Sequence, residues 1–279
     1  MPFLDADYSA IEARIVNWLA GQEDALQRFR AYDRAKTKEE KHALDPYRIM
    51  ATHIYGVPVS TISKFPQRFV GKSAELGCGF GMGPPKFRVT CKAQGGYDLP
   101  DGMEQKAVKT WRATHKKVVS MWYDLENAAK RAILHKNTIM PVGKHLSFMC
   151  KDIDGMTFLL MKLPSGRKLA YPKPRISGDR VTILGNTIGT NWGDVSLWGG
   201  DFCNHCTQGT AADVMANGAH NAERAGYRIA TLIHDQALSF VSPGNTPEGF
   251  ARCLTTLPDW AAGLPVESEG GLVPFYRKD

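Results

Sequence analysis

Hydrophobic and polar positions recur at two different periods along the chain. The opening PFLDADY is short and apolar, as a strand would be. Ile11, Ile15, Trp18 and Leu19 then fall at helical spacing, and Ser9 with Glu12 has the spacing of a capping box. This predicts a helix from Ser9 to the stop at Gly21. Residues 23–45 are charged, with AKTKEEKHA expected as a solvated helix face or a loop. DPYRIMATHIYG predicts a helix with Pro46 in its first turn and Gly56 at its end. Residues 103–137 read as one or two helices. The pattern then changes. MTFLLMKLPSGRKLAYPKPRI predicts a hairpin around Pro-Ser-Gly, and DFCNHCTQGTAADVMANGAHNAERAGY a long helix closed by Gly226. Farther on, Ile229, Thr231 and Ile233 precede His234-Asp235-Gln236, and Leu238 and Phe240 follow, which predicts two short strands. Strand and helix, a helical middle, then strands and helices again describe an α/β (α+β) chain with a mostly helical insertion.

Two stretches of this pattern carry chemistry. The acid Asp235 sits between two apolar strands. It is either a turn former or a carboxylate held at a hairpin tip to meet a positive charge. In RFVGKSAELGCGFG, Arg68, Lys72, Leu76 and Phe80 stand at steps of four. On a helix they form one stripe of about 18 Å, cations first and an aromatic last. That is what a phosphate-to-base reader would look like, cations at one end and a flat apolar surface at the other; a solvated amphipathic helix has the same spacing. Gly71, Gly77, Gly79 and Gly81 weaken a plain packing helix and suit the close approach of another backbone or a nucleic acid.

Composition narrows the classes. The 279 residues are 43% hydrophobic and contain no run long enough to span a membrane. Six cysteines make no disulfide framework, so a reducing, cytoplasmic setting is expected. The formal net charge of +7 tilts toward polyanionic partners. Cys203, His205 and Cys206 have no second ligand pair at a matching distance for zinc.

These stretches, in this order, resemble family A (polymerase I type) DNA polymerases, in particular bacteriophage-type members. DADYSAIEAR resembles motif A, RFVGKSAELGCGFG motif B and IHDQ motif C. NHCTQGTAAD is similar to the palm helix, DPYRIMATHIYG to the segment before motif B, and both LPSGRKLAYP and the closing PDWAAGLPVESEGG…YRKD to bacteriophage-type members. The resemblance covers nearly the whole chain. It implies an antiparallel palm sheet with packed helices, divided as palm (1–24), fingers (25–160) and palm (161–279). It also implies that thumb and exonuclease regions lie outside this piece.

The resemblance assigns roles residue by residue. Asp7 and Asp235, with the carbonyl of Tyr8, would hold two Mg²⁺ ions, for which Mn²⁺ can substitute. Lys72 and Arg68 would contact the triphosphate of a dNTP, and Lys72 would protonate the leaving group. Leu76, Phe80, Glu12 and Tyr47 would complete the dNTP site, Glu12 as the steric gate against a ribose 2′-hydroxyl. Asn204, Gln208, His234, Gln236 and Arg14 would face primer-template DNA. Some positions depart from the family. Gln236 replaces the second acid of motif C, keeping an oxygen to accept from metal-bound water; Leu76 stands where relatives often carry an aromatic; Tyr47 stands where many carry His. The expected activity is DNA-directed DNA polymerisation, as in phage replication. The alternative is a weakly active or inactive module that binds primed DNA, or a split-polymerase subunit, needing a thumb, with or without an exonuclease, on a separate chain.

Overall fold

A computed structural model of the chain describes residues 2–186 and 191–276. The residues that close the YRKD match, Arg277, Lys278 and Asp279, lie outside the described residues.

Strand β1 (Phe3–Tyr8) leads into α1 (Ile11–Ala20), then α2 (Glu23–Arg34), α3 (Lys38–Leu44) and α4 (Pro46–Tyr55). The helix after β1 starts later than the pattern predicts. Its N-cap is Ala10 in the left-handed region (φ 53°), with no side-chain cap. Ser9 is drawn outward instead: its N–H donates to the Glu267 carbonyl and its own carbonyl accepts from Arg14. Glu12 is therefore free of any capping duty and faces a cleft. AKTKEEKHA does form a helix, because Thr37 and Glu40 make a reciprocal capping box at its start. Asp45 caps α4 by accepting from Tyr47 and Arg48, and Gly56 (φ 74°) ends it.

Motif B is helical throughout, from a wide turn at Lys64–Arg68 through α5 (Phe69–Gly77) to a tight turn at Cys78–Phe80. Its Gly71 is explained by backbone packing: a Cβ there would lie 2.1 Å from the Tyr47 carbonyl oxygen of α4. Helices α6 (Pro84–Gly95), α7 (Met103–Thr114) and α8 (Lys116–Leu134) follow, so residues 103–137 hold two helices. Buried Trp111 and Trp122 stack with ring centroids 6.1 Å apart, and Trp122 Nε1 donates to the Gly79 carbonyl at 2.8 Å. The end of motif B is thereby pinned to α8.

The chain returns to sheet with β2 (Met140–Val142), β3 (Leu146–Ile153), β4 (Met156–Lys162) and β5 (Lys168–Pro172), four antiparallel neighbours in order. The expected boundary at residue 160 falls inside β4, and the last helix before these strands, α8, ends at Leu134. The boundary at residue 24 likewise falls inside α2. Strands β6 (Arg175–Ser177), β7 (Arg180–Asn186) and β8 (Trp192–Leu197) form a second small sheet. Helix α9 (Gly199–Arg224) then crosses the molecule. Its start lies hard against α8, where a Cβ on Gly199 would sit 1.8 Å from the Trp122 carbonyl oxygen. Arg167, from the Pro-Ser-Gly hairpin, clamps α9 through Asp213 (2.6 Å) and the Gly209 carbonyl (2.6 Å).

Strands β9 (Arg228–Ile233) and β10 (Gln236–Phe240) make the expected hairpin, and α10 (Pro247–Thr255) and β11 (Ser268–Val273) complete the described chain. The antiparallel order β11-β1-β10-β9 puts the first strand between two of the last three. This pairing carries the site, since only folding joins β1 to β10.

Candidate active site

The register of the central sheet brings motifs A and C together. Asp7 pairs with Gln236, and the Tyr8 N–H donates to the Asp235 carbonyl at 3.0 Å. His234 and Asp235 form the two-residue turn between β9 and β10, with His234 at φ 56°. A positive φ at the first turn residue gives the twist that tight hairpins need. Both turn residues are exposed. His234 is thus a surface group at the hairpin tip, not a buried core histidine.

Asp7 is exposed on β1, yet its carboxyl is pushed up to about 6. Loss of solvent around the carboxyl is the first cause, followed by the charges of Asp235, Asp5 and, more weakly, Glu269; the Tyr8 N–H opposes them. Asp5 and Glu269 are absent from the expected site set. Asp5 was legible: period-two alternation puts residues 5 and 7 on one face of a strand. Glu269 was not, because it arrives by the pairing of Asp7 with β11.

Gln236 gives a second unexpected contact. Its Nε2 lies 2.8 and 2.9 Å from the two oxygens of Asp5. A carboxylate needs donors, so the amide hydrogens are committed there. Gln236 is a strap between β10 and β1 through its amide hydrogens. The acid missing from motif C has a counterpart one strand away.

Arg14 is also reassigned. It is 1% exposed, donates through both terminal nitrogens to Asp33 at 2.7 Å and lies over the Phe29 ring. A buried, fully engaged guanidinium is a strut of the fold and has no face for DNA.

The remaining residues fall into three groups. Glu12, Leu76, Phe80, Asn204 and Gln208 line one cleft of about 630 Å³ between α1, motif B, α6 and α9. Tyr8, Glu12, Gln208, His234 and Asp235 line a second of about 440 Å³ over the hairpin tip. The Tyr8 ring itself is buried and its hydroxyl donates to the Leu254 carbonyl, which leaves only its backbone for other duties. The third group sits at the start of motif B. Arg68 Nε donates to Asp45 at 2.6 Å, and its guanidinium lies 5.1 Å over the Tyr47 ring. Burial first, then the charge of Glu75, push the Tyr47 phenol up to about 12 against the pull of Arg68, so it stays a neutral donor. Lys72, one turn on, is exposed and has no ion-pair partner among the described residues. Cys203 and Cys206 are buried in the core.

No family model matches the chain. A DNA polymerase of Bacillus phage SP02 is 32% identical over 285 residues, which cover 99% of this chain and 41% of that protein. The chain is similar to a DNA polymerase from end to end. It spans 41% of that relative's length. Among solved structures, the POL domain of Pol1 from M. smegmatis, in complex with DNA primer-template and dNTP, aligns over 98% of this chain and 39% of its own, with a TM-score of 0.60 and 19% identity. The fold is therefore that of a polymerase domain. Among the described residues no helix is long and apolar enough to cross a membrane.

Proposed function

We propose that the chain is the palm-and-fingers core of a DNA-directed DNA polymerase, acting on primer-template DNA and dNTPs in phage replication. One observation carries this reading most directly. Asp7 and Asp235, 228 residues apart in sequence, are brought to one end of a sheet, and the acids around Asp7 repel its charge.

That crowding fits a divalent cation, as do hard oxygen donors from two carboxylates and the Tyr8 carbonyl. Among the described residues no three acidic, His or Cys side chains are grouped as a ready cage. Asp7 and Asp235 would therefore share Mg²⁺ with substrate oxygens, which is how Mg²⁺ is usually held. When bound, the ions supply a more acidic primer 3′-hydroxyl and neutralise charge on the triphosphate. In the reaction that oxygen bonds to the α-phosphorus as the bond to pyrophosphate breaks. Lys72 and Arg68 would neutralise the outer phosphates, and Lys72 would give a proton to the leaving group. Leu76 and Phe80 present apolar surface to the sugar and base, and Glu12 crowds a 2′-hydroxyl. Tyr47 would add a hydroxyl donor beside Arg68. Asn204, Gln208 and His234 would touch the DNA, whose minor-groove acceptors are common to all base pairs.

Primer extension by the chain with Mg²⁺ and four dNTPs on a primed template tests the reading. Template-directed, Mg²⁺-dependent lengthening is expected. Nucleotide-independent degradation of the primer would instead indicate a phosphodiesterase using the same acids.

A further inference from the structure

Glu12 and Gln208 line both clefts of the site. They come from α1 and α9, 196 residues apart, and Gln208 Nε2 donates to Glu12 Oε1 at 2.6 Å. The pair is thus the wall between the space over the hairpin tip and the space beside motif B. Ser73, Lys86, Gln94 and Asn204 also line the motif B cleft, but the bond that the structure gives the Glu12 carboxylate comes from Gln208. Ser9 does not engage it, because the helix begins at Ile11. Across the cleft stand Leu76 and Phe80, neither of which has a polar side-chain atom. A long acidic side chain without a tether samples many rotamers, and a barrier that swings aside excludes little.

We propose that Gln208 is a positioning residue for sugar selection: it holds the Glu12 carboxylate in place, and discrimination against ribonucleotides depends on that bond. This rests on the polymerase reading of the site. It gives Gln208 a role beyond contact with DNA. It also joins the two clefts, because a group on DNA that competes for the Gln208 amide would release the barrier next door.

The test uses the whole chain with a primer-template whose primer ends in a dideoxynucleotide, so that nothing is incorporated. Affinities for the matched dNTP and the corresponding rNTP are measured for the wild type, Gln208→Ala, Gln208→Lys, Glu12→Ala and the Glu12→Ala/Gln208→Ala double variant. The wild type is expected to prefer the dNTP. Gln208→Ala should lower that preference about tenfold, the scale of one lost polar constraint, and mainly by tighter rNTP binding. Gln208→Lys, which still donates to the carboxylate, should restore most of it. In the Glu12→Ala background the second substitution should change the preference no further. An unchanged preference in Gln208→Ala, or an equal drop with and without Glu12, would overturn the inference and leave Gln208 a DNA contact only. A second outcome separates the two claims. If the dNTP preference behaves as expected but unblocked primers are never extended, the polymerase reading fails while the positioning role stands. If the wild type shows no preference at all, the positioning role fails even where primers are extended.

Discussion

The two charged ends of the site are built on opposite principles. At the hairpin end, Asp7 meets the fields of Asp235, Asp5 and Glu269, and its carboxyl rises to about 6. At the start of motif B, Arg68 already has its carboxylate in Asp45 and its aromatic face in Tyr47. The acidic end is left electrostatically unfinished, while Arg68 at the start of motif B is finished within the fold. A group held against its own charge is ready for a missing counter-charge. A group already paired must trade that pair for a ligand, and gains less from binding. On the proposed polymerase reading, Asp7 and Asp235 would take up a ligand cation, Lys72 would be a phosphate contact with no competing ion pair among the described residues, and Arg68 a contact whose strength is shared with the fold.

The largest effect should come from the unfinished end. Asp7→Asn or Asp235→Asn should reduce Mg²⁺-dependent primer extension by about 10³-fold or more, since metal-assisted charge stabilisation is worth several kcal/mol. Binding of primer-template should stay within about threefold, because phosphate contacts from Lys and Arg supply it. Rapid-quench extension beside a binding titration separates the two. Near-normal extension by either variant would break the assignment of the acidic end.

Much of this architecture was legible in the sequence, for a physical reason. Each element that the pattern placed is fixed locally: Gly56 and Gly21 end helices with positive φ, Asp45 caps one, and the alternation around His234-Asp235 makes a hairpin. The misreadings fall where a long-range contact overrides a local signal. Ser9 and Glu12 have capping spacing, but the bond from Ser9 to Glu267 on the far side of β1 takes the chain elsewhere. The resemblance sets Arg14 toward DNA, but its bidentate pairing with Asp33 buries it. The bond from Gln236 to Asp5 also had no signal in the local pattern, since it forms only when β10 pairs with β1. The glycines of motif B announced close approaches, and the partner of Gly71 proves to be the backbone of α4, while Gly77, Gly79 and Gly81 face Met82, Val16 and Trp198.

The cationic end should show unequal partners. Lys72→Ala should weaken dNTP use by roughly 1.5–3 kcal/mol, the range for a charge-assisted phosphate contact. Arg68→Ala should cost less in dNTP affinity and more in melting temperature, because it also strips Asp45 of its ion pair at a buried helix cap. Steady-state titration of dNTP and thermal unfolding on both variants give the comparison. Equal losses in affinity with equal melting temperatures would show that Arg68 is as free as Lys72, and the contrast between the ends would dissolve.

The smallest effect is on stability, and its sign is the point. Folding raises the Asp7 carboxyl from 3.8 to about 6, so the folded protein holds this proton more tightly than the unfolded chain does. Its contribution to stability is fully present below 3.8 and is lost as pH rises through about 6. At neutral pH the charged Asp7 is then a net cost of folding. Unscreened, the shift would convert to about 3 kcal/mol; for an exposed carboxylate, solvent reduces it to on the order of 1 kcal/mol. Asp7→Asn should therefore melt a few degrees higher than the wild type at pH 7.5, with the gap closing as pH falls toward 4. Mg²⁺ should narrow the same gap at pH 7.5 by stabilising the wild type alone, and should do so less below pH 6, where protons compete for Asp7. Melting curves of both proteins across pH, with and without Mg²⁺, read all of this without any turnover. A variant that melts lower than the wild type at pH 7.5 would show that Asp7 is a satisfied structural acid, and that the two ends of the site are charged alike in kind.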